Sequence, residues 1–128
     1  MGMKLRCYAG KAGSVLILDT GGTPPDRKEW QLLCCRSLTL PVDTLLLGPL
    51  GRDSPFRLMV LDTDGLSRPV TAREAQVFGR FLRDEGYWTG KQVYVAGDTG
   101  VFPVSGQGEG WWAVTAPEGL RLRRLLGL

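Results

Sequence analysis

The stretch from Phe56 to Gly86, FRLMVLDTDGLSRPVTAREAQVFGRFLRDEG, sets an apolar strand, a turn and a helix in immediate succession. Phe56–Leu61 has the apolar run of a buried strand. Asp62-Thr63-Asp64-Gly65 ends that strand in a turn. A helix is then expected from Thr71 to Glu85, with Ala75, Phe78 and Leu82 as its apolar stripe and Val77 and Phe81 beside it. Gly86 supplies the stop, since glycine takes the left-handed conformation in which helices commonly end. Thr71-x-x-Glu74 predicts a capping box: the Thr71 side chain caps the third helical amide, and Glu74 reaches back to the N–H of Thr71.

Strand-like segments surround this unit. Lys4–Tyr8, Ser14–Asp19 and Leu40–Leu47 precede it, and Lys91–Ala96, Val101–Ser105, Trp111–Thr115 and Leu120–Leu125 follow. An earlier helix is expected to start at Thr23-Pro24, with Trp30, Leu33, Cys34 and Leu38 on one face. No repeat, linker or low-complexity run divides the 128 residues. The expectation is one domain, residues 1–128, of mixed and largely antiparallel α+β class, long enough to bury about two thirds of its unfolded surface.

Composition removes several function classes. The chain has no histidine, which takes away the commonest general base and the commonest metal ligand. Cys34 and Cys35 are adjacent and cannot both face one metal, so with Cys7 they read as buried thiols, and no metal or other cofactor is expected. Asp62-Thr63-Asp64-Gly65 lacks the third ligand and the bidentate Glu of a calcium loop. The longest apolar runs, Val15–Leu18 and Leu58–Leu61, are far too short to span a membrane, and MGMKLRCYAGKAG has no signal-like apolar core. The expectation is a cytoplasmic protein with no membrane partner. A net charge of +3 with Arg121, Arg123 and Arg124 near the C-terminus argues only weakly for nucleic acid, because no basic run is interleaved with aromatics. Asparagine is absent and arginine outnumbers lysine, as in heat-adapted proteins.

Two triplets raise an enzyme reading. Asp19-Thr20-Gly21 follows the apolar VLIL, and Asp98-Thr99-Gly100 repeats the spelling. Aspartic proteases pair two such carboxylates, one as acid and one as base. Gly-Asp-x-Gly between VYVA and VFPVS is, however, ordinary hairpin chemistry, and a helix over Thr71–Glu85 fits poorly in an all-β protease half. A dimeric aspartic protease is kept as a minor alternative.

The segment from Phe56 to Gly86 also resembles the N-terminal half of diaminopimelate epimerase. In that family an apolar strand ends in Asp-Gly, and a helix with an aromatic-x-Arg-Phe core begins at a catalytic cysteine. Asp64-Gly65, Phe78, Arg80, Phe81 and Gly86 fall in register with it. AGKAGSVLILD is similar to the family's first hairpin, Arg36 and PVDTLLL with Asp43 to the segment after it, and VYVAGDTGVFPVS to a later hairpin. The resemblance implies a diaminopimelate epimerase-like fold: an antiparallel, barrel-like sheet around the central Thr71–Glu85 helix. It also makes Asp19 a strand end, and the Asp-Thr-Gly triplets coincidental.

Full-length members, which belong to lysine biosynthesis, hold two such domains, and one cysteine from each inverts an amino-acid stereocentre without a cofactor. Here Thr71 stands at the first cysteine, and Ala72-Arg73 replaces the Gly-Asn whose amides bind the substrate carboxylate. The ligand-binding candidates carried over are therefore Asp64, Thr71, Ala72 and Arg73. Threonine has no usable basicity near neutral pH without a neighbouring base. The resemblance thus implies a half-length relative that has lost the cysteine chemistry: a homodimeric binding or scaffolding protein for a small carboxylate or amino acid. The enzyme alternative is a divergent cofactor-independent isomerase or lyase with its site between two chains, Thr71 and Asp64 standing in for the cysteines.

Overall fold

The computed structural model describes residues 4–11, 13–19, 44–51, 53–61, 67–105 and 110–114. The expected helix after Pro24, the strand Leu120–Leu125, the residues Arg36, Asp43 and Asp64, and the Cys34-Cys35 pair all lie outside them. The described strands are β1 (Lys4–Gly10), β2 (Gly13–Asp19), β3 (Thr44–Leu47), β4 (Phe56–Arg57), β5 (Met59–Leu61), β6 (Ser67–Arg68), β7 (Gln92–Ala96), β8 (Val101–Ser105) and β9 (Trp111–Val114). Among the described residues one helix, α1 (Ala72–Asp84), lies between β6 and β7 in the chain. None of the described helical structure is long and apolar enough to cross a membrane.

The strands form two sheets: six strands in the order β6-β5-β3-β2-β1-β9, and three in the order β4-β7-β8. Most pairings are antiparallel, as expected, but β2 runs parallel to β3 and β4 parallel to β7. No described pairing closes the two sheets into a barrel. The reason β2 reads as an unbroken apolar run is its central place: Val15, Leu16, Ile17 and Leu18 are all buried, so neither face is left for polar residues.

The single strand expected over Phe56–Leu61 is in fact two. Phe56–Arg57 pairs with β7 in the small sheet, and Met59–Leu61 pairs with β3 in the large one. Leu58 is the corner, its N–H still bonded to the Ala96 carbonyl at 3.2 Å. Phe56, Leu58 and Val60 are buried while Arg57 is exposed, so the alternation survives the change of sheet. The sequence pattern records burial, and burial is continuous through the corner.

Helix α1 is the element that both sheets share. Ala75, Val77, Phe78, Phe81 and Leu82 are fully buried, and Phe78 stacks on Phe81 at 5.6 Å between ring centroids. Gly79 lets the helix approach the small sheet, since a Cβ there would lie 2.7 Å from Val104 Cγ2. On another side, the Phe78 ring lies so near Gly48, just after β3, that a Cβ on Gly48 would sit 2.8 Å from it. The helix ends as the sequence predicts. Gly86 has φ of 80°, its N–H bonds the Arg83 carbonyl at 3.1 Å, and the Tyr87 N–H reaches the Leu82 carbonyl at 2.8 Å. These two bonds are the Schellman arrangement.

Candidate functional site

The N-terminal end of α1 gathers the side chains that the sequence singled out. Thr71 is the N-cap, extended at φ −107° and ψ 170°, and its carbonyl accepts the Ala75 N–H at 3.0 Å. Its side chain makes no bond to a helical amide. The Thr71 hydroxyl donates to the Glu74 carboxylate instead. The expected capping box is therefore corrected: the same two residues meet, but side chain to side chain. The physical reason is the burial of Glu74, which is only 3 % exposed. A desolvated carboxylate needs a donor more than an amide at a helix start needs an acceptor.

Ala72 is exposed at the first helical position. Arg73 is half-buried, with its guanidinium 5.2 Å from the centroid of the Trp111 ring on β9. Its Nη1 donates to Thr44 Oγ1 at 3.2 Å. Arg68, on β6, donates from Nη2 to the same Thr44 oxygen, also at 3.2 Å. Thr44 is buried, 3 % exposed, at the start of β3. The Nε atoms of both arginines are buried and have no hydrogen-bond partner among the described residues. No ion pair joins either guanidinium to a described carboxylate.

Of the sequence candidates, Thr71, Ala72 and Arg73 thus stand together at the helix start. Sequence reasoning missed Arg68 and Thr44. Arg68 sits in the turn-like SRPV, and its two-residue strand is too short to show a period. Thr44 had a signal: it is a polar residue opening an apolar run, at a position that becomes buried. Among the described residues no group of three or more Cys, Asp or Glu side chains could hold a metal ion.

The other end of α1 carries a different network. Tyr8 donates from its hydroxyl to Asp84 Oδ2 at 2.7 Å, and Arg80 Nε lies 3.6 Å from the same carboxylate. The Arg80 guanidinium lies 5.8 Å from the Tyr8 ring centroid and donates to the Trp111 carbonyl. Arg6 pairs with Glu85, and Tyr87 donates to the buried Asp19. Burial first, and the Asp84 carboxylate second, push the Tyr8 phenol well above the ordinary tyrosine value. Burial likewise raises the Cys7 thiol, and the hydrogen bond to Glu85 raises Arg6.

The two Asp-Thr-Gly triplets part company here. Asp19 is buried at the end of β2 and accepts from Tyr87, whereas Asp98 is exposed in the β7–β8 hairpin of the other sheet. That hairpin closes through the Gly97 N–H and the Gly100 carbonyl at 2.9 Å.

No family model matches the sequence, and no curated protein sequence matches it. Among solved structures, a phenazine biosynthesis protein of the PhzF family from Enterococcus faecalis superposes with a TM-score of 0.59 at 7 % identity. The match covers 80 % of this chain but 40 % of the other, so this chain spans about half the length of that structure. The shared feature is the mixed architecture of sheets and a helix, and PhzF proteins share the diaminopimelate epimerase-like fold. The chain has the diaminopimelate epimerase-like fold of a PhzF family protein.

Proposed function

We propose that this chain is a half-length, non-catalytic member of the isomerase fold group, a homodimer that binds a small carboxylate or amino acid. The observation that carries the reading is the Thr71–Glu74 bond. By the sequence resemblance Thr71 stands at the position of the catalytic cysteine, and its hydroxyl proton serves a buried carboxylate. Inversion of a stereocentre needs a base on one face of the carbon and an acid on the other, each contributing about 10² to 10⁴-fold. Among the described residues at this helix end, the Thr71 hydroxyl is committed to Glu74.

The same bond supports a second reading, a divergent isomerase or lyase, because a hydroxyl beside a carboxylate is also the pattern of an activated nucleophile. Proton–deuterium exchange at the α-carbon separates the two. Diaminopimelate, alanine and glutamate incubated with the protein in deuterated buffer should exchange no faster than without it. Exchange above that background, lost in Thr71→Val, contradicts the non-catalytic reading.

Dimerisation is supported by the sheet edge. Among the described strands β9 is an edge, and it leaves Trp112 and Val114 exposed, at 49 % and 39 %. An apolar edge invites pairing, and a second copy is the closed solution. Light scattering at tens of micromolar should give twice the 14.0 kDa chain mass; a monomer there contradicts the dimer.

A further inference from the structure

We infer that Arg68 and Arg73, converging on Thr44, form a side-chain site for an oxyanion group, a carboxylate or a phosphate. This rests on the proposed binding role and gives it a chemistry. A guanidinium stays charged at any physiological pH and presents five donors in a rigid fork. Here two of them, from β6 and from α1, are each held to the same neutral oxygen, Thr44 Oγ1, at 3.2 Å. Two like charges brought to one point repel unless an anion lies between them. The described carboxylate at this end, Glu74, already accepts the Thr71 hydroxyl and pairs with neither arginine.

The buried Nε atoms make the deficit specific. Each is removed from water and lacks an acceptor among the described residues. Nε and one Nη form the edge that carboxylates and phosphates engage with two parallel bonds. An oxyanion bound at these two guanidinium groups offers the Nε–H groups the acceptors they lack. The site is also pre-oriented: the Trp111 ring holds the plane of Arg73, and pairing with β5 at Val60 holds the backbone of Arg68. Its donors are side chains from two elements, β6 and α1, unlike the backbone amides of the carboxylate site that the family resemblance implies.

The test is thermal melting of the wild type, Arg68→Met, Arg73→Met, Arg68→Lys and Arg73→Lys. Each is titrated with sodium phosphate and with sodium succinate against sodium chloride at equal ionic strength. The wild-type Tm should rise saturably with at least one anion, by a few degrees at about a hundredfold excess over Kd. A phosphate response alone identifies a phosphate group, and a succinate response alone a carboxylate. All four variants should lose most of the rise. Lysine keeps the charge but not the fork, so the lysine variants carry the test if a methionine variant does not fold. Generic salting-out raises every variant alike. No wild-type rise beyond chloride with either anion, or an equal rise in the lysine variants, overturns the site. The α-proton exchange readout is separate: exchange with an intact anion response rejects only the non-catalytic reading.

Discussion

Both ends of α1 gather arginines and carboxylates, and they treat charge in opposite ways. At the C-terminal end, Asp84 and Glu85 sit where the helix dipole disfavours carboxylates. Each has a cation or a phenol as partner: Arg80 and Tyr8 for Asp84, and Arg6 for Glu85. At the N-terminal end, two guanidinium groups converge on a threonine and leave a buried nitrogen each without an acceptor. A fold selected for stability alone completes its charge pairs, as the C-terminal end does. Incomplete pairing at the other end marks the place where something else is to be accommodated.

The largest effect that tests this contrast lies within the N-terminal end. Thr71→Ala leaves the buried Glu74 carboxylate without its donor and should destabilise by about 2 kcal/mol, while Thr71→Ser should be nearly neutral. The double variant Thr71→Val/Glu74→Met removes both partners and should recover most of the loss in chemical denaturation. An alanine variant as stable as the parent would show that the bond is not formed in solution.

The C-terminal end gives the next largest effect. Tyr8→Phe removes the donor to Asp84 and should cost about 1 kcal/mol, less than a fully buried pair because water can reach the carboxylate. The pH dependence follows from the raised phenol. The folded state holds its proton above the ordinary value of 10.0 while the unfolded chain releases it. The stabilisation is therefore complete below about pH 10 and falls as pH rises beyond it. Denaturation curves from pH 8 to 11 should show this decline in the wild type and a shallower one in Tyr8→Phe; parallel declines would remove Tyr8 from the account.

The smallest effect is the most telling by contrast. Arg68→Met, in the absence of added anion, should change stability by less than about 0.5 kcal/mol or raise it, since it removes a buried group with an unmet donor. Arg6→Met at the paired end should lower stability. Equal losses at both ends would erase the distinction between them.

The helix and its stop were legible because their signals are local. Gly86 at the C-terminus and the stripe of Ala75, Phe78 and Leu82 need only neighbours three or four residues away. The corner at Leu58 was not legible, because period-2 burial continues while the pairing partner changes from β7 to β3. The capping box was read from spacing, yet the winning bond depended on how deeply Glu74 is buried, a tertiary property that four residues cannot reveal. Half of the arginine pair was visible as Arg73 beside Thr71. Arg68 and Thr44 join it only through the sheet order β6-β5-β3, which brings residues 24 and 29 positions apart to one oxygen.

The contrast between the helix ends is tested most directly on the arginine Nε–H resonances, observed together by proton–nitrogen correlation spectra during a titration with phosphate or succinate. Arg68 and Arg73 should shift saturably and their Nε–H protons should become slower to exchange, while Arg6 and Arg80, already engaged with Glu85 and Asp84, stay in place. Uniform shifts of all four arginines, or none at Arg68 and Arg73, would contradict the claim that the N-terminal end of α1 is the anion-binding end of the helix.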